Sequence, residues 1–223
     1  MITLDNLDFA RDGAVLHRAV LASEIIDSLR DDLDAQIAGR PGKRLTQGNT
    51  LLEATGALGR IAAGLIGEAA RPVRAIIFDK SPATNWHLGW HQDRTIAVRE
   101  RIEVEGFGPW STKDGILHVA PPMSVLNGMV TLRLHLDDCD ESNAPLKVAL
   151  GSHRLGFVAA DEASRVAESG PVLTCLARAG DVWAYATPIL HMSERSQSPG
   201  RRRVLQVDYA ATALPGGLDW RGV

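Results

Sequence analysis

The stretch from Met129 to Asp137 alternates without a break. Val130, Leu132, Leu134 and Leu136 fall on one side, and Thr131, Arg133 and His135 on the other. That period belongs to an extended strand. One face of such a strand is built for a core, and its polar face either meets solvent or lines a cavity. Around it lie further β-type runs broken by turn residues: 73–78, 115–120, 146–149, 172–177, 181–186 and 202–209. Two helices are predicted upstream. The first, over 15–38, carries Val15, Val20, Leu21, Ile25, Ile26, Leu29 and Leu33 at near-helical spacing and stops at Gly39, Pro41 and Gly42. The second, over 51–70, has Asn49 or Thr50 as N-cap, Glu53 to complete a capping box, and Arg71-Pro72 as its end. A short helical connection is expected over 121–128 and a surface helix over 161–169. Helices first and then about eight short strands predict an α+β fold with an antiparallel sandwich or barrel, and a jelly roll accommodates eight strands. We expect one domain over 1–223, with a mainly helical part to residue 70 and a β core over 73–210.

Composition excludes several classes. With 223 residues, 45% hydrophobic and 23% charged, the chain can bury a sizeable core. A net charge of -3 gives no nucleic-acid footprint. Arg201-Arg202-Arg203 is the single basic run. No apolar stretch approaches the length of a membrane span. The first residues, Met1 to Asp5, lack the layout of a signal peptide. Cys139 and Cys175 make no disulfide framework, so a cytoplasmic setting is expected, with both packed between strands.

The chemistry-bearing stretch runs from Asn85 to Val98 and contains His91-Gln92-Asp93. On a strand, residues i and i+2 aim at one point. An imidazole and a carboxylate so placed are two-thirds of the 2-His-1-carboxylate triad that holds non-haem Fe(II) with coordination positions open. Seven histidines are available. His17 is expected on a helix surface and His87 in a loop or packing position. His118 and His135 are expected as pocket or core residues, and His153 in a turn. His191 differs, because it follows a tight turn at Gly180-Asp181, a strand and a break at Pro188, and Arg202 comes eleven positions later.

In order and spacing, these pieces resemble the phytanoyl-CoA dioxygenase family of Fe(II)/2-oxoglutarate oxygenases. The matching pieces are Trp90-His91-Gln92-Asp93, Leu136-Asp137-Asp138, Asn143-Ala144-Pro145-Leu146, Gly151-Ser152-His153-Arg154, Gly180-Asp181-Val182, His191-Met192-Ser193 and Arg202, and they cover roughly 73–210. The resemblance implies a double-stranded β-helix, cupin-like, with N-terminal helices packed on one sheet. It implies iron ligation by His91, Asp93 and His191. It also implies that Arg202 pairs with the far carboxylate of 2-oxoglutarate, assisted by Ser193. The reaction implied is hydroxylation of a small organic substrate with O2, coupled to decarboxylation of 2-oxoglutarate to succinate and CO2. Asp93 sets the chain apart from related halogenases, which have Ala or Gly there. Three positions depart from the family pattern: Ala144 replaces a usual Gly, Leu150 a usual Pro, and Arg133 a frequent aromatic residue.

Arg202 offers a planar fork matched to a carboxylate, and Ser193 one hydroxyl donor. Arg201 and Arg203 would face the other way. Thr131 and Arg133, on the polar face of the alternating strand, are candidates for contact with co-substrate or substrate. Trp86, Trp90, Phe107 and Trp110 flank the metal stretch. Lys80 and Lys113 are expected at the surface. Residues 99–114 read as a long loop, suited to a lid or binding segment. Two other readings remain open on the residues alone: a cupin-like metalloenzyme independent of 2-oxoglutarate, and a non-catalytic jelly-roll module that binds a small ligand.

Overall fold

The computed structural model describes residues 4–37, 39–47, 51–53, 56–197 and 200–223. The expected N-cap at Asn49 or Thr50 lies outside them. Among the described residues thirteen strands occur in chain order. They are β1 (Ala14–His17), β2 (Gly42–Leu45), β3 (Arg71–Lys80), β4 (Leu88–His91), β5 (Ile96–Ala97), β6 (Trp110–Lys113) and β7 (Ile116–Val119), then β8 (Met129–His135), β9 (Leu146–Ala149), β10 (Val172–Cys175), β11 (Val182–Ala186), β12 (His191–Ser193) and β13 (Arg202–Ala210). A six-stranded sheet runs β1-β11-β8-β13-β3-β2, a four-stranded sheet β10-β9-β12-β4, and a small sheet β5-β7-β6. All strand pairs are antiparallel. This is the double-stranded β-helix expected above.

The alternation on β8 explains how the layers stack. Val130, Leu132 and Leu134 face a core shared with Ile26, Leu29, Leu33, Leu58 and Ala62 from the helices Ser23–Ile37 and Ala57–Ile66. Ala75 and Ile77 of β3, Leu205 and Val207 of β13, and Val182 and Ala184 of β11 join the same core. The opposite residues on these strands turn inward, where Trp183 and Tyr185 meet Leu146, Val148 and Leu173 of the smaller sheet. Every residue of β8 is therefore buried, because helices cover one face and the second sheet the other. Its polar residues line an interior, not a wet surface.

Both N-terminal helices are shorter than their periodicity suggests. Val15 belongs to β1, which pairs with β11 as Val15↔Ala184, and the first long helix starts only at Ser23. Long-range pairing overrides a helix-like local pattern here. The turn between them is anchored by the Ala19 amide on Asp181 Oδ1 at 2.8 Å and the Val20 amide on the Gly180 carbonyl at 2.9 Å. The second helix spans only Ala57–Ile66 and is ended by Gly67, and Arg71-Pro72 opens β3.

Gly180 holds this corner together. Its φ is +90°, and a Cβ there would stand 2.5 Å from the Leu21 carbonyl oxygen. Gly180→Ala is expected to cost about 1–3 kcal/mol of stability, read as a lower urea midpoint with an unchanged m-value.

Residues 99–114 are not one long loop. Trp110 to Lys113 form β6, paired with β7, while the Phe107 side chain is buried and the Gly108 amide bonds the Ala120 carbonyl at 2.8 Å. The segment is built into a second core around Val119, Leu126, Leu218 and Trp220.

Candidate metal centre

Strand register brings the distant histidine home. On β4 and β12, His91 and His191 are direct partners, their ring centroids 4.2 Å apart. Cross-strand neighbours share a face, so the two imidazoles aim into the same interior. Asp93 lies two residues beyond the end of β4, not on the strand as expected. Its carboxylate still reaches the same point, because Gln92 between them is pinned on the opposite side. The Gln92 amide donates to the carbonyls of Gly156 and Pro188, both at 2.9 Å, and accepts from the Val158 amide at 3.0 Å. One potential ligand atom from each of His91, Asp93 and His191 lies within 4.8 Å of the others.

The protonation pattern suits a metal. His91 Nδ1 faces the Gly89 carbonyl at 2.8 Å, and His191 Nδ1 faces the Ile189 carbonyl at 2.9 Å. Carbonyl oxygens only accept, so both Nδ1 atoms carry the proton and both Nε2 lone pairs are free to coordinate. Burial and the neighbouring His91 hold the His191 ring down at about 4, against the pull of Asp93. Burial would raise the Asp93 carboxyl, but Arg74, His191 and His91 outweigh it, so its pKa lies below the ordinary carboxylate range. The donors are thus two imidazoles presenting Nε2 and one carboxylate, the set Fe(II) accepts.

A buried polar network orients the carboxylate. Asp93 Oδ2 faces Arg74 Nη2 at 3.5 Å and Gln206 Nε2 at 3.4 Å. Arg74 is ion-paired with Asp208, and Asp208 accepts from Thr131 Oγ1 at 3.0 Å. Gln206 Oε1 accepts from Arg133 Nη1 at 2.8 Å. These contacts follow from register, since β13 places Asp208 opposite Arg74 and Thr131, and Gln206 opposite Arg133.

The cavity beside the triad is lined by Arg133, Ser193, Arg202, Gln206, Phe78 and Leu146, and by Arg44, Arg74 and Lys113. Arg202 is 2% exposed. Its Nη1 donates to the Ala144 carbonyl, while its Nε has no partner. Arg133 Nε is also buried without a partner. Burial and the facing Arg133 bring the Arg202 guanidinium down to about 10. Two buried forks with unsatisfied donors, aimed into one cavity, call for an anionic ligand. Arg201 and Arg203 do turn to the opposite face, onto Asp34, Asp79 and Asp137.

Several expectations need correction. Thr131 does not reach the cavity, because its hydroxyl is taken up by Asp208 and Thr187. Lys80 is not at the surface. It is fully buried, donating to Ser193 Oγ at 3.0 Å and to the carbonyls of Trp86 and Glu194. Burial and the nearby Arg202 and Arg133 lower its ammonium to about 7. Lys113 lines the cavity. Of the aromatic residues near the metal stretch, Trp86 lines the cavity, whereas Trp90 packs against Ala149, Val158 and Leu190. Arg74, Gln206 and Asp208 were missed as site residues. Their signal was present as polar residues at even spacing along a strand: Arg74 with Lys80, and Gln206 and Asp208 with Arg202. Ala144, at the departure from the family pattern, adopts φ +50°, the region that explains a usual Gly there.

Five imidazoles, those of His17, His118, His135, His153 and His191, are lowered chiefly by burial. In the unfolded chain they take up protons near 6.5, and in the fold they resist. Below that pH the unfolded state binds more protons, so stability must fall as pH drops from 6.5 toward 4. The metal-free protein is expected to lose up to about 1.4 kcal/mol per pH unit for each such ring. Urea unfolding at pH 7.5, 6 and 5 checks this, and His135→Leu should flatten the slope.

The sequence profile of the family described as phytanoyl-CoA dioxygenase (PhyH) matches residues 9–204. No curated protein sequence matches significantly. Among solved structures, the apo form of EctD from S. alaskensis superposes with a TM-score of 0.67 at 15% identity, covering 91% of this chain and 74% of that one. HygX from Streptomyces hygroscopicus, solved with nickel and 2-oxoglutarate, gives 0.57 at 18% identity over 92% and 85% of the two chains. The epimerase SnoN, in complex with Fe3+, alpha ketoglutarate and nogalamycin RO, gives 0.66 at 16% identity over 94% and 88%. At these identities the likeness concerns the fold.

Proposed function

Because the chain belongs to the phytanoyl-CoA dioxygenase family of iron- and 2-oxoglutarate-dependent oxygenases, we propose that it hydroxylates a small organic substrate, converting 2-oxoglutarate to succinate and CO2. The observation that carries this reading is the pairing of His191 with His91, beside Asp93, next to a cavity holding unsatisfied arginine donors. In this reading His91, Asp93 and His191 hold Fe(II). When bound, the ion supplies the open coordination positions and the O2-dependent oxidation that couples decarboxylation to hydroxylation.

The protein's own part is orientation and charge. Gly89 and Ile189 fix the two histidine tautomers. Arg74 and Gln206 hold one carboxylate oxygen of Asp93, leaving the other to face the ion. Arg202 supplies the fork for the far carboxylate of 2-oxoglutarate, and Arg133 adds a second cation on the same wall. Ser193 accepts from Lys80, and its own proton points at the Ala144 or Glu194 carbonyl. A carboxylate is a stronger acceptor than either and draws that proton. Val148, Leu146 and Tyr185, all buried nearby, give the interior an apolar wall.

Anaerobic addition of Fe(II) and 2-oxoglutarate is expected to give a weak visible metal-to-ligand charge-transfer band, and admission of O2 to give succinate. A protein that binds the metal but shows neither would instead be a metalloenzyme independent of 2-oxoglutarate or a binding module.

A further inference from the structure

We propose that the substrate carries an anionic group, a carboxylate or a phosphate, and that Lys113 with Arg44 receives it on the side of the cavity away from Arg202. This rests on the oxygenase reading above, whose metal and co-substrate it takes as bound.

The first observation is charge balance. Among the cavity-lining cations Arg44, Arg74, Lys113, Arg133 and Arg202, two have carboxylate partners: Arg44 with Asp114 at 2.7 Å, and Arg74 with Asp208. No ion pair among the described residues engages Lys113, Arg133 or Arg202. Asp93, a divalent ion and a dianionic co-substrate together carry one negative charge. That leaves two of the three unpaired cations uncompensated in a partly buried site. Partly buried charge of one sign is costly unless a counter-charge arrives, and such a cavity concentrates anions.

The second observation is location. Arg133 and Arg202 stand on strands of the six-stranded sheet beside Ser193, where the co-substrate carboxylate is placed. Lys113 comes from the small sheet, at the end of β6, and its Nζ is held by Thr95 Oγ1 at 3.2 Å. Thr95 lies two residues beyond Asp93, so this ammonium is tied to the metal stretch from the other side. Arg44, on β2, stands near it and has a buried Nε with no partner. The ammonium and the free guanidinium donor form a second anion-reading pair, separate from the first. An acidic group seated there would leave the rest of a small substrate between Lys113 and the triad, against Leu88 and Met192.

The test uses wild type, Lys113→Met and Lys113→Arg, each loaded anaerobically with Fe(II) and saturating 2-oxoglutarate so that the Arg202 side is occupied. Inorganic phosphate and acetate are titrated calorimetrically. Wild type is expected to bind at least one of them, Lys113→Met to bind it about tenfold or more weakly, and Lys113→Arg to stay within about threefold of wild type. Tighter phosphate points to a phosphorylated substrate, and acetate binding alone to a carboxylic acid. The charge-transfer band should be the same in all three proteins. No probe binding in wild type, or equal binding in Lys113→Met, overturns the proposal. A missing band in wild type defeats the oxygenase reading instead, so the two failures are told apart.

Discussion

His191→Ala should abolish Fe(II) binding and reduce 2-oxoglutarate turnover to background, while the protein stays folded. The imidazole is prepared for one task. Its Nδ1 proton is spent on the Ile189 carbonyl, its Nε2 is free, and its ring sits opposite His91 with its neutral form favoured by burial. With alanine there, two donors remain, too few to hold the ion against water. The structural cost is modest, because the ring also packs on Tyr185 at 5.5 Å between centroids, and its loss leaves a small cavity. His191→Gln, which keeps much of the volume without the imidazole, separates the two effects. A readout independent of catalysis is the melting temperature. An ion that binds only the native state stabilises it by about 2.7 kcal/mol at a hundred times its dissociation constant. Wild type should therefore melt higher when Fe(II) is added anaerobically, and both variants should not. A variant that keeps the metal-induced shift would show that the ion is held elsewhere.

The same histidine shows what could be read from the chain. Its place after a Pro break and eleven residues before Arg202 marked it, and the alternation on β8 marked an interior with one polar wall. The second is a local pattern of period two, which strands write directly into sequence. What escaped was set by pairing between distant strands. Nothing near Val15 says that it will pair with Ala184, and the run through Ile25 imitates a helix start. Lys80 looked like a surface residue because lysine is seldom buried. Its burial follows from Arg202 facing it across β3 and β13, which is a fact of register. Gln206 and Asp208 carried a readable signal, polar side chains in step with Arg202, whose meaning needed Arg74 and Arg133 opposite them. Lys113 had no such signal, since its segment seemed loop-like and its route to the cavity runs through the small sheet.

Arg202→Ala should weaken 2-oxoglutarate binding by about 2–5 kcal/mol, the usual cost of truncating one partner of a buried charged pair, or about thirty-fold and more in dissociation constant. Metal affinity should be nearly unchanged, because Arg202 makes no hydrogen bond to His91, Asp93 or His191. The guanidinium carries a free Nε beside Arg133, with its pKa pulled down to about 10 by burial and by that like charge. It is therefore a strained cation in the ligand-free protein and a favourable one when a carboxylate arrives. Two consequences separate this role from plain packing. The ligand-free variant should be no less stable than wild type, or more stable, because an uncompensated buried charge has gone. Arg202→Lys should recover only part of the affinity, because a point charge cannot make two parallel hydrogen bonds. Arg133 should keep some binding alive in Arg202→Ala, so the double variant with Arg133→Leu should lose more than either alone. An Arg202→Ala protein that binds 2-oxoglutarate as tightly as wild type would move the co-substrate to a different wall of the cavity.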